Sequence, residues 1–96
     1  MHAVVRNYSG SGAKGLFDLL EERKADVESI MRSVTGLVTY SAIRTDDGGV
    51  TVTVCQDKSG TDESIRVARE WIQENASDIG SSPPAVSEGS IMVQIS

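Results

Sequence analysis

At 96 residues, 39% hydrophobic and 24% charged, the chain has the length of one small domain and the composition of an ordinary globular protein, which argues against disorder. Its net charge of −5 and its scattered Lys and Arg residues argue against nucleic acid or an anionic membrane surface as a partner. The lone cysteine, Cys55, rules out a disulfide within the chain and fits a reducing, cytoplasmic compartment; the sequence shows neither a signal peptide nor a membrane-spanning run.

Residues 2–8 read as a short strand. Gly10-Ser11-Gly12-Ala13-Lys14-Gly15 follows and matches G-x-G-x-x-G, the loop of dinucleotide-binding folds. From about Ala13 the spacing turns helical. Leu16, Leu20, Val27, Met31 and Val34 fall on one side, Asp18, Glu21, Glu22 and Glu28 on the other, and Gly36 closes one long helix. Two β-rich runs then flank Asp46-Asp47-Gly48-Gly49, a hairpin signal. A two- or four-residue loop pairs Ile43 with Val52 and Ser41 with Val54; a bulged loop shifts this register.

A second helix is expected to start near Thr61, with Ile65, Ala68, Ile72 and Ala76 as its buried stripe and Val67 and Trp71 as a second apolar pair. After the polar stretch through Pro83 and Pro84, residues 90–96 read as the last strand. The order βαββαβ predicts an α+β, ferredoxin-like domain over residues 1–96: a four-stranded antiparallel sheet with two helices on one face. A dinucleotide fold needs a second parallel strand after the first helix, ending in an acidic residue. A hairpin stands there instead, so the glycines are read as a strand-to-helix bend.

Hydrophobicity divides the sheet. Ile43, Val50, Val52 and Val54 are expected beneath the helices, with Ile91, Val93 and Ile95 beside them. Tyr40, Ala42, Arg44, Thr51, Thr53 and Cys55, with Met92 and Gln94, make the other face. Its middling polarity suits a second sheet, so Tyr40, Ala42, Thr51, Thr53, Cys55 and Met92 are the expected interface of a homodimer. A monomer with one wetted face is the competing reading.

The strand Val4-Val5-Arg6-Asn7-Tyr8-Ser9-Gly10, the run Thr35–Thr45 and the acidic helix bearing Trp71 resemble the dimeric α/β-barrel superfamily, which includes antibiotic-biosynthesis monooxygenases and haem-degrading monooxygenases. The resemblance covers nearly the whole chain as a pattern of elements. It implies a homodimer and a cofactor-independent monooxygenase acting on a small aromatic compound. Asn7, Trp71 and Arg44, or Arg6 in place of Arg44, then take the catalytic positions, with Ser41 and Tyr40 binding the ligand. Of the haem-degrading branch's residues, Asn7 and Trp71 match. The iron-ligating histidine has no counterpart, since His2 is the one histidine of the chain. No cofactor and no metal are therefore expected.

Plainer roles compete with these. Trp71 also suits helix-to-sheet packing, Asn7 a turn, Arg6 and Arg44 solvation or pairing with acids, and Cys55 a small buried apolar site. The functional alternatives are a non-catalytic dimer binding a small molecule at the Ser9–Gly15 loop, and a structural dimer with no ligand. With His2 at the terminus, no Ser-His-Asp arrangement is expected.

Overall fold

The alternation in His2–Tyr8 makes strand β1, and the glycine loop turns the chain into helix α1, Ala13–Glu22. Helix α2, Lys24–Arg32, follows at once. The hairpin pairs β2, Leu37–Thr45, with β3, Gly48–Cys55. Helix α3, Lys58–Asn75, leads through the prolines to β4, Ala85–Ser90. The computed structural model describes residues 1–95. Its strands form one antiparallel sheet in the order β2-β3-β1-β4, so that β3 and β1 are central. This is the ferredoxin-like α+β plan, with the helices on one face.

The glycine loop is a bend. Gly12 has φ of 80°, and a β-carbon there would stand 2.7 Å from the backbone of Ser81. A glycine is needed both for the dihedral and for that approach. The backbone N–H of Ser82 donates to the carbonyl of Ser11 at 3.3 Å, so the loop rests on the connection between α3 and β4.

The expected long first helix is two helices. The chain kinks at Arg23, with φ of −107° and ψ of 30°. Neither Gly nor Pro marks the place. The Arg23 side chain is drawn across to α3, where it donates to Asn75 at 3.3 Å and stacks 5.6 Å from the centre of the Trp71 ring. Helix α3 begins three residues earlier than expected, capped by the Asp57 carboxylate, which accepts from the Gly60 N–H.

The hairpin turns at Asp46-Asp47, so Ile43 faces Val50 and Ser41 faces Val52. The register lies two residues from the expected one, and each residue keeps its face. Gly48 and Gly49 lie inside the ladder rather than in the turn, because Tyr8, Ala13 and Phe17 crowd against them.

The two faces are the reverse of those expected. Cys55 packs with Met31, Val34, Val67 and Tyr40, and Tyr8 packs with Leu16 and Phe17. Thr51 and Thr53 are buried between strands and helices. Tyr40, Ala42, Thr51, Thr53 and Cys55 are thus on the helix side and form no outer interface. Val50, Val52 and Ile43 face away from the helices, with Asn7 opposite Val50 and Val5 opposite Val52 on β1. One contact requires this orientation at its own position: the Phe17 ring occupies the space that a side chain at Gly49 would need.

The last strand precedes the expected 90–96. It pairs with β1 from Asn7↔Ala85 to His2↔Ser90, and Ile91 N–H donates to the Met1 carbonyl at 3.0 Å. There β1 ends, so Met92, Val93 and Ile95 have no strand to pair with; Met92 is 94% exposed. Ser96, the end of the expected strand, lies outside the described residues.

Candidate functional site

Between α1–α2 and β2 runs a groove of about 580 Å³. Leu20, Val27, Met31, Tyr40 and Ala42 line it, and Glu21, Lys24 and Glu28 lie at its rim. Leu20, Val27, Met31 and Tyr40 also wall a smaller adjoining chamber of about 30 Å³, whose other walls are Arg6, Tyr8, Thr51 and, from α3, Ala68, Trp71 and Ile72. The chamber has room for about one water molecule or one small polar substituent.

Strand alternation brings the polar groups there. Arg6 lies between Val4 and Tyr8 on the helix-facing side of β1 and opposite Thr51 of β3. Only 3% of Arg6 is exposed. Its Nη1 donates to the Tyr8 hydroxyl at 3.3 Å, and its guanidinium carbon lies 6.0 Å from the centre of the Tyr8 ring. Arg6 Nε and Thr51 Oγ1 have no hydrogen-bond partner among the described residues. Burial pushes the phenols of Tyr8 and Tyr40 above their ordinary value, and the Arg6 charge pulls each back down. Both tyrosines are therefore neutral hydroxyl donors at physiological pH.

Of the expected site residues, Trp71 and Tyr40 meet at the chamber. Asn7 and Ser41 do not. Both are exposed and lie on the outer sheet face, because they alternate with Arg6 and Tyr40. Arg44 is on the helix side but at the surface, where it pairs with Asp18 at 2.9 Å and Glu21 at 2.8 Å. The trio Asn7, Trp71 and Arg44 is not brought together. Arg6, expected either in place of Arg44 or as a solvated or acid-paired residue, is the buried cation beside the chamber. The signal for it was its place in the Val4–Tyr8 alternation, read with the faces exchanged.

One further constellation is formed that sequence spacing gave no reason to expect. His2 Nδ1 lies 2.8 Å from Thr61 Oγ1, and its Nε2 lies 3.7 Å from Glu88. The Thr61 hydroxyl also lies 3.0 Å from the Lys58 carbonyl, to which it donates. Thr61 is wholly buried, which closes it to any substrate. His2 ties β1 to α3 and lines neither groove nor chamber.

No helix among the described residues is long and apolar enough to cross a membrane. No protein-family model matches the chain, and no curated protein matches it. Solved structures do. A protein of unknown function from Nitrosomonas europaea is 15% identical, with a TM-score of 0.71 over 98% of this chain and 90% of its own. A monooxygenase of Streptomyces coelicolor, solved in complex with nanaomycin D, is 18% identical, with a TM-score of 0.66 over 98% and 88%. A cofactor-independent oxygenase from Streptomyces nogalater is 16% identical, with a TM-score of 0.67 over 98% and 95%. A dimeric ferredoxin-like protein from an uncultured marine organism and a haem-degrader from Mycobacterium tuberculosis are each 12% identical. At such identities the likeness is one of fold: the chain has the ferredoxin-like α+β fold of these small monooxygenases and dimeric ferredoxin-like proteins.

Proposed function

We propose that this chain is a cofactor-independent monooxygenase-like enzyme that takes a small aromatic compound into the groove beside Tyr40. The observation that carries the reading is the groove itself: a slot of mixed lining that shares Leu20, Val27, Met31 and Tyr40 with a small chamber bordered by Arg6, Tyr8, Thr51 and Trp71. Ligand sites of this kind combine apolar walls with a few placed polar groups. Two solved structures of the same fold are described as a monooxygenase and a cofactor-independent oxygenase.

In such a reaction the substrate supplies the electrons. A phenolic ring and dioxygen give a quinone and water, with one oxygen atom in each product. Negative charge develops on the ring oxygen and on the reduced dioxygen. The Arg6 guanidinium and the neutral tyrosine hydroxyls are placed to stabilise that charge within a site already shaped for it. On this reading Arg6, the expected alternative to Arg44, takes the catalytic part together with Tyr8, and Asn7 takes none. Trp71 and Tyr40 supply aromatic surface against the substrate.

The working unit of this reading is a homodimer. Val5, Val50, Val52 and Ile43 form an apolar face on the side of the sheet away from the helices, and a second copy covers it in an isologous contact. The exposed Met92, Val93 and Ile95 segment adds apolar surface of the same kind.

The test is oxygen uptake by the purified protein with a panel of phenolic and polycyclic aromatic compounds, with product masses measured. Uptake with a product heavier by one oxygen atom, or a quinone, supports the enzyme. Saturable binding without uptake makes the chain a non-catalytic binding domain. Absence of both overturns the reading.

A further inference from the structure

Arg6 is a buried cation with no anionic partner among the described residues. It is 97% removed from solvent, since only 3% of it is exposed. None of the ion pairs among the described residues includes it. Its nearest hydrogen-bond partner is the neutral Tyr8 hydroxyl, and its Nε is without one. A buried charge is ordinarily paired. Arg6 Nε and the Thr51 hydroxyl are both buried without a partner among the described residues, both can donate, and Arg6 and Thr51 both border the same small, mainly apolar chamber. What is missing is an acceptor with a negative charge and more than one lone-pair direction. A carboxylate matches this, because a guanidinium takes it with directed, charge-assisted hydrogen bonds.

The chamber's size sets the rest of the ligand. It holds a polar end and little more, and Leu20, Val27, Met31 and Tyr40 are walls of both the chamber and the open groove. We propose that Arg6 is the anion receptor of this site and that the ligand is an aromatic carboxylate, its charged end beside Arg6 and Thr51 and its ring in the groove against Tyr40. The proposal rests on the reading that the groove takes an aromatic compound, and it narrows that class by charge. It also makes Arg6 the residue that selects the ligand.

Calorimetric titration of the intact protein with naphthoate and with its uncharged isostere naphthamide tests this. Naphthoate is expected to bind at least roughly tenfold more tightly. Arg6→Met removes that preference and does not lower the melting temperature, because it deletes a charge that had no partner. Arg6→Lys keeps part of the preference, as a point charge without the planar fork. Equal affinity for the two compounds overturns the proposal and leaves the aromatic reading standing, a comparison that needs no variant. A preference that survives Arg6→Met does the same. Failure of both compounds to bind overturns both readings.

Discussion

The ring of Phe17 on α1 rests against the backbone of Gly49 on β3: a β-carbon at residue 49 would stand 2.2 Å from Phe17 Cε2. Gly49 lies opposite Tyr8 in the ladder, and the Tyr8 and Phe17 rings meet edge to face at 5.7 Å. A single absent side chain thus seats helix α1 on the sheet and holds Tyr8 in place at the chamber. Gly49→Ala is expected to destabilise by about 1–3 kcal/mol through overpacking. Combining it with Phe17→Leu should cost less than the sum of the two single changes, since the same contact is relieved. Urea unfolding of the four proteins checks this, and strict additivity refutes the contact.

Adjacent residues of β3 should respond in opposite ways to a carboxylate. Thr53 is wholly buried beneath the helices, whereas Val52 points to the outer face. Thr53→Asp places a charge where no partner exists and is expected to abolish folding. Val52→Asp should leave the circular dichroism unchanged and prevent the proposed association of two copies. Light scattering on both variants decides the matter; a native protein that is monomeric across the micromolar range refutes the dimer.

Trp71 is both packing and wall. It is 6% exposed, borders the chamber, and carries the Arg23 guanidinium on its ring. Trp71→Ala is expected to lose about 3–5 kcal/mol of stability, and Trp71→Phe to retain most of it. Denaturant melts give the comparison. A loss well under 1 kcal/mol for the alanine variant would show that the indole packs against little.

The chain has two tyrosines, and burial raises the pKa of both in the folded state. An unfolded tyrosine titrates near pH 10. The folded protein therefore holds these protons at a pH where the unfolded chain releases them. The stability so contributed is fully present below about pH 10 and is lost as pH rises through the folded values. Tyrosinate absorbance should appear later in native than in urea-unfolded protein, and thermal stability should fall in the same alkaline window. Coincident titration curves would contradict the burial of the two phenols.

The order of elements was legible in the sequence because it rests on local signals. The helical spacing of Leu16, Leu20, Val27 and Met31, the glycines near Asp46-Asp47, and Pro83-Pro84 each mark an element or its end without reference to anything distant. Together they specified βαββαβ and with it the ferredoxin-like plan. Even locally, the kink at Arg23 carried no Gly or Pro mark; the Arg23 side chain there pairs with Asp26 and reaches Asn75 and Trp71 of α3.

What only the tertiary structure decided is which way the sheet faces. Val50, Val52 and Val54 alternate with Thr51, Thr53 and Cys55, and period two alone divides a strand into two faces without saying which is inner. Hydrophobicity favoured the valines. The packed structure has it the other way, with the Phe17 ring filling the space above Gly49 on the threonine-bearing face. That one choice moved Asn7 and Ser41 to the outside and turned Arg6 and Tyr8 inward, so the candidate site changed its members while the fold remained the one the sequence predicted. The end of the sheet was likewise a matter of length elsewhere: Ile91–Ile95 has the pattern of a strand, but β1 begins at residue 2 and leaves it nothing to pair with.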